Sequence, residues 1–261
     1  MTYIKQTHIK MHLLLFITII LMVLLIGCRN HKVDNNQYVD EYYQEYQLYL
    51  EKKLSLETLA FQHAVKIQVE VSDTKTIFGS GVIFDTEDTY IYILTNYHLV
   101  YDTLHHDKIY MIDHNEVKRQ VTFVYGHASY DLAILVFEQV THEYEALSIL
   151  DEELILPYGT YIAGYPKGEM YQFTYATYSQ DKRVDLKGEI GDIIDVTFEV
   201  MSLNIKSESG SSGSVVYNLD KELVGIVFAG SNNILDPFET YVIPSTRVIE
   251  FIHLYQQYKT T

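Results

Sequence analysis

Apolar residues follow three different rhythms along this chain. Leu13 to Ile26 is an unbroken apolar run apart from Thr18, with Lys5 and Lys10 before it. A run of about 14 residues has signal-peptide length and falls short of the ~20 needed to span a bilayer. Residues 1–27 are therefore set aside as a targeting segment, and the polar, aperiodic residues 28–37 read as a flexible tether. Between residues 38 and 60 the rhythm becomes helical. Val39, Tyr43, Tyr46 and Leu50 recur at helical spacing, with Glu41, Glu45, Lys52 and Lys53 among the polar positions. This predicts an amphipathic helix that packs its Tyr/Leu face on the body of the protein; docking of that face on a partner or a second copy is the alternative.

From residue 61 a period of two takes over. Val65, Ile67, Val69 and Val71 alternate in the first candidate strand, and others follow at 77–84, 89–95, 108–112, 117–125 and 132–137. An acidic connector, Thr141–Glu153, precedes a second set at 161–165, 171–179, 194–201, 214–218, 222–228 and 241–243. Ser245 or Thr246 then caps a last helix with Val248, Ile252 and Tyr255 on one face. Many short strands separated by turn residues predict an all-β fold and not a βαβ sheet. The expected architecture is two antiparallel six-stranded barrels, at about 61–140 and 154–244, followed by helix 245–259.

Composition narrows the function. The chain has 261 residues, 48% of them hydrophobic, and a formal charge of −16, which becomes −18 once residues 1–27 are removed. So acidic a domain is unsuited to nucleic acid or to holding anionic lipid by its own surface. Cys28 is the only cysteine, so no intramolecular disulfide supports the fold. The phrase Leu25-Ile26-Gly27-Cys28 resembles the lipobox of bacterial lipoproteins. That likeness implies cleavage before Cys28, acylation of its thiol and tethering to the outer face of a bacterial membrane; an ordinary signal peptide or short anchor with an incidental cysteine is the alternative.

The candidate chemistry lies in three phrases. Gly210-Ser211-Ser212-Gly213-Ser214 places a serine between glycines, where the backbone can turn tightly and present N–H groups to an oxyanion. His98 ends the run Tyr92-Ile93-Leu94-Thr95-Asn96-Tyr97-His98, and imidazole is the side chain able to take a serine proton near neutrality. Asp131 opens the apolar run Leu132-Ala133-Ile134-Leu135-Val136, a costly place for a carboxylate without a partner. The order His, Asp, Ser is that of chymotrypsin-type barrels. Asp102, Asp107 and Asp113 compete for the acid's role but lie in a polar loop, and Ser211 and Ser214 offer other hydroxyls.

With Gly79-Ser80-Gly81-Val82-Ile83-Phe84 added, these phrases resemble the trypsin-like serine proteases of bacteria, and the first three along the chain are most similar to the HtrA-type (Deg) proteases. The serine loop is more similar to that of the secreted glutamyl endopeptidases. The resemblance spans roughly Ala64 to Lys259 and has no room after it for the PDZ domain common among HtrA-type proteases. It implies Ser212 as nucleophile, His98 as general base, Asp131 as the residue that orients His98, and the Gly210 and Ser212 amides as the oxyanion hole, with no cofactor and no metal. Ser211 stands where the family usually has asparagine or aspartate.

Substrates would be proteins or peptides. The resemblance puts the specificity pocket beside Ile226, Val227, Phe228 and Tyr241, with Lys206 either at its base or facing solvent; small aliphatic side chains rank first and Glu or Asp second. A zinc cluster of His105, His106, Asp107, Asp113 and His114 is disfavoured by its loop setting and lack of cysteine. His63, His127 and His142 are expected at the surface. The rival to a membrane-tethered extracytoplasmic endopeptidase is a catalytically inactive binding or sensor lipoprotein on the same fold.

Overall fold

The computed structural model describes residues 35–101, 108–139, 144–152, 159–185, 191, 193–231 and 238–261. Cys28, the targeting segment, His105, His106, Asp107, Asp102, His142 and, in the connector, residues 141–143 and 153 lie outside the described residues. The chain divides after Leu50 into two compact units. Helix α1 (Asn35–His63) is longer at both ends than the 38–60 read from the sequence. No glycine or proline interrupts that stretch, so nothing in the backbone stops it earlier. Tyr43 and Tyr46 are 61% and 47% exposed, and Leu50 is exposed too. Leu56 and Ala60, further along α1, have no exposed surface. Helical spacing identifies an apolar face but not what covers it.

The first lobe contains β1 (Ala64–Ser72), β2 (Lys75–Glu87), β3 (Tyr90–Thr95), the helical turn α2 (Tyr97–Val100), β4 (Ile109–Ile112), β5 (Lys118–Gln120), β6 (Thr122–His127) and β7 (Leu132–Glu138). These strands form one antiparallel sheet in the order β5-β4-β1-β2-β3-β7-β6. The expected six-stranded barrel is thus a seven-stranded half-barrel. The run 117–125 divides at the buried Val121, whose N–H donates to the Ile109 carbonyl. Its two halves pair with opposite ends of the sheet, β5 with β4 and β6 with β7. The sheet therefore curls until its ends meet through the chain and not through a ladder.

The second lobe contains β8 (Gly159–Gly164), a 3₁₀ turn at Pro166–Gly168, β9 (Gln172–Lys182), β10 (Val200–Asn204), β11 (Val215–Tyr217), β12 (Leu223–Gly230), β13 (Glu239–Pro244) and helix α3 (Ser245–Lys259). Its six strands form the closed barrel β10-β13-β12-β11-β8-β9, as expected. The strand read at 194–201 lies at Val200–Asn204; Ile194 is buried in the core outside any strand.

Alternation along the strands sorts side chains into three apolar groups. Ile91, Ile93, Ile67 and Leu135 fill the first lobe, and Val216, Val224, Val227 and Val242 fill the second barrel. Leu94, Leu132 and Ile134 from one lobe meet Ile226, Phe228, Ile243 and Phe251 from the other, with Leu56 and Ala60 of α1. Each fully buried side chain of this size contributes about 1.5–3 kcal/mol. This third group joins the lobes and brings the ends of β3 and β7 toward the loop before β11.

Two further expectations change. His63 is buried, its ring nitrogens bridging the carbonyls of Leu59 and Glu145 at 3.0 Å each, and so is a structural residue and not a surface one. Asp113 is spent on a turn: it accepts the N–H groups of Asn115 and Val117 and pairs with Arg119. Burial alone would raise its carboxyl, but Arg119 and the two amides hold it below the usual carboxylate range. Among the described residues no group of three or more His, Cys, Asp or Glu is placed to hold a metal ion.

Candidate active site

The strand phrase that ends in His98 assembles a buried polar junction. Asp131 follows the turn 127–130, where its N–H donates to the Ala128 carbonyl, and takes φ +50, a conformation with a cost for a non-glycine residue. That conformation turns its whole polar surface toward the start of α2. Its carbonyl accepts the Asn96 side-chain amide at 2.9 Å and the Tyr97 N–H at 3.2 Å. Its carboxylate takes both donors of His98, the backbone N–H on Oδ1 at 2.9 Å and ring Nδ1 on Oδ2 at 2.8 Å. Asp131 is wholly buried, and burial pushes its carboxyl above the usual range while the charge and hydrogen bonds of His98 pull it back. A buried carboxylate of this kind favours a positive imidazole beside it.

The serine loop lies against the same junction. Ser80 of β2 donates its N–H to the Ser212 carbonyl at 2.7 Å, and Thr95, three residues before His98, donates its hydroxyl to the Ser80 carbonyl at 2.7 Å. Gly213 sits at φ +86, and a Cβ there would come within 1.8 Å of the Ser80 carbonyl oxygen and 2.8 Å of Thr95 Oγ1. No other residue fits so close an approach. Gly210 sits at φ +85 and is buried.

Within the loop the amides of Ser211, Gly213 and Ser214 donate to the carbonyls of Glu208, Val227 and Ser211, and that of Glu208 to the Ser211 hydroxyl. Among the described residues the amides of Gly210 and Ser212 have no acceptor. Two unspent donors two residues apart are what a developing oxyanion requires. The Ser212 hydroxyl donates to the Phe228 carbonyl at 3.3 Å, and no hydrogen bond joins it to the ring of His98.

A cavity of about 170 Å³ opens beside the loop, lined by Ser211 and Ser214 next to Ser212. Of the pocket residues read from the sequence, it includes Val227 and the exposed Lys206. Ile226 and Phe228 are not in its wall, because alternation turns them into the core between the lobes. Tyr241 is not either; its hydroxyl donates to Glu239, and Thr240 lines the cavity instead. The remaining walls combine Ile162, Gly164, Pro166 and Ile205 with the polar residues Gln172, Thr174, Ser207 and Glu208.

Sequence reasoning assigned no role to Ser80, Thr95 or Asn96, all fully buried and all bonded into the junction, Asn96 through its amide nitrogen alone. The glycines flanking Ser80 were the signal available, since each marks a crowded backbone: a Cβ on Gly79 would meet Leu99 at 2.3 Å, and one on Gly81 would meet Ile93 at 2.9 Å.

Comparison with known proteins agrees with this geometry. Residues 79–226, more than half of the chain, match the trypsin-like peptidase domain family. Among solved structures, the Rv3671c protease of M. tuberculosis in its active form is 23% identical, with a TM-score of 0.64 over 76% of this chain and 82% of that one. The HtrA-type protease AlgW with a tripeptide is 19% identical, with a TM-score of 0.62 over 76% and 61%. A serine endoprotease from Yersinia pestis is 20% identical, with a TM-score of 0.58 over 77% and 65%. Likeness at these identities is one of fold. No curated protein matches the sequence. A family match over more than half of the sequence, together with a two-lobed β fold shared with these proteases, makes the chain a member of the trypsin-like peptidases.

Proposed function

We propose that this peptidase is a membrane-tethered, extracytoplasmic serine endopeptidase that cleaves peptide bonds through an acyl-enzyme. Ser212 attacks the scissile carbonyl, His98 takes the serine proton and returns it to the leaving amine, and Asp131 fixes the imidazole tautomer and stabilises its charged form. The amides of Gly210 and Ser212 receive the oxyanion. The observation that carries the assignment is that the amides of Gly210 and Ser212 have no acceptor among the described residues, while those of Ser211, Gly213 and Ser214 are bonded. The cavity beside Ser211 and Ser214 would take the side chain preceding the scissile bond. Ile162, Ile205 and Val227 in its wall support small aliphatic side chains, and Lys206 supports an acidic alternative. The likeness of Leu25-Ile26-Gly27-Cys28 to a lipobox supports acylation of Cys28 and anchoring on the outer face of a bacterial membrane.

A second reading, a binding or sensor lipoprotein without activity, draws on the Ser212 hydroxyl, which is bonded to Phe228 and not to His98. Turnover of a fluorogenic peptide library separates the two. Ser212→Ala and His98→Ala should each lower kcat by about 10⁴–10⁶, with the double variant little worse, because the two act as one unit. Additive losses would break the assigned partnership, and a wild-type protein without turnover would favour the sensor. For the anchor, Cys28→Ser should abolish lipid labelling and release the protein from membranes; retention of the variant would indicate an uncleaved anchor.

A further inference from the structure

We propose that Ser80 is a positioning residue for the oxyanion loop, fixing from the first lobe the direction in which the Gly210 amide points. The proposal rests on the catalytic reading above and adds to it a residue that touches neither substrate nor the reacting atoms. Ser80 lies in β2, is fully buried, and uses every polar atom it has on segments outside its own strand. Its N–H donates to the Ser212 carbonyl at 2.7 Å, and its own carbonyl accepts the Thr95 hydroxyl. Its hydroxyl donates to the Gly210 carbonyl at 3.0 Å and accepts the Tyr165 N–H at 2.8 Å.

The geometry around Gly210 gives these contacts their meaning. The Gly210 N–H belongs to the peptide unit whose carbonyl is that of Ser209, and that carbonyl accepts the Lys167 N–H. The next peptide unit is held through the Gly210 carbonyl by Ser80. One pin therefore sits on each side of a glycine at φ +85, a residue whose intrinsic freedom lets its N–H rotate. Both pins depend on Ser80, because Tyr165, which its hydroxyl also holds, leads directly into the Pro166–Gly168 turn that carries Lys167. Lys167 is itself at φ +60, and a Cβ on Gly210 would lie 2.7 Å from its nitrogen, so the turn and the loop fit each other at backbone level. A glycine or alanine would satisfy the space at position 80. The hydroxyl is needed for the two bonds that cross between lobes.

The test compares wild type with Ser80→Ala in the full-length protein, using steady-state peptide hydrolysis, affinity for a peptide boronate and thermal unfolding. Deleting an oxyanion donor outright costs about 10²–10³ in kcat, and misdirecting one should cost less, roughly 10–100-fold. KM should stay within about threefold, since an interaction made only in the transition state is lost. Boronate affinity should fall in parallel with kcat, while the pH–rate profile keeps its shape, since the contacts between His98 and Asp131 are unaltered. If Ser80→Ala is too unstable to assay, Ser80→Cys fills the site with a slightly larger group, weakens both hydrogen bonds and is read in the same way. An active wild type whose folded Ser80 variant retains kcat, or loses only KM, overturns the proposal alone. A wild type that neither hydrolyses peptides nor binds boronate overturns the catalytic reading and the Ser80 proposal with it.

Discussion

Replacing Asp131 with asparagine tests the His98 pairing at one atom's cost. The carboxylate accepts two hydrogen bonds from the same residue, one from the His98 backbone N–H on Oδ1 and one from ring Nδ1 on Oδ2. An amide offers one acceptor and one donor. With its oxygen kept on the backbone N–H, its nitrogen faces Nδ1, which must then accept and leave the ring proton on Nε2. That tautomer cannot take a proton from Ser212. The expected loss in kcat is about 10⁴, or ~5.5 kcal/mol of transition-state stabilisation. Stability should move far less, by about 1 kcal/mol, because the neutral amide keeps the shape and removes a charge that burial disfavours. The assay is hydrolysis at saturating peptide alongside thermal unfolding of the same preparation. Activity within tenfold of wild type in a folded Asp131→Asn protein would refute the argument that Asp131 sets the tautomer.

Other consequences follow from the same geometry. Gly213→Ala should destabilise by at least about 3 kcal/mol and abolish activity, combining a positive φ with a Cβ 1.8 Å from a backbone oxygen; wild-type unfolding would refute this. At the start of β13, burial would raise the Glu239 carboxyl, but Lys182, Tyr241 and Ser202 together hold it below its ordinary 4.5. The folded state thus binds fewer protons there than the unfolded chain. The stability advantage of wild type over Glu239→Gln, about 1–2 kcal/mol at neutral pH, should shrink as pH falls below 4.5, and a gap independent of pH would contradict it. Lys206→Ala should leave cleavage after small aliphatic residues unchanged; loss of a glutamate preference in peptide-library profiling would show instead that Lys206 selects the substrate.

The candidate chemistry was legible because it is local. Thr95-Asn96-Tyr97-His98 and Gly210–Ser214 each place several functional groups within a few residues, the apolar runs around them fix strand ends, and their resemblance to known proteases put His98, Asp131 and Ser212 forward as candidates. What was not legible depends on partners distant in the chain. Ile226, Val227 and Phe228 are equally apolar, and only the pairing of β12 with its neighbours decides that Val227 faces the cavity while the other two join the lobes. Ser80 lies 130 residues from Gly210, and no periodicity connects them. The fold behaved in the same way. The run 117–125 was readable as a strand, but its break at Val121 follows from where β4 and β7 lie. In α1, spacing marked Tyr43, Tyr46 and Leu50 as a face, and the fully buried Leu56 and Ala60 lie beyond that stretch.

The central claim is that Ser212 is a nucleophile activated in the folded protein. It is tested most directly by treating the protein with a fluorophosphonate at neutral pH and mapping the adduct by mass spectrometry. The account predicts one adduct, on Ser212, absent in Ser212→Ala and strongly slowed in His98→Ala. No adduct on folded wild-type protein, or one carried by Ser211 or Ser214, would contradict it.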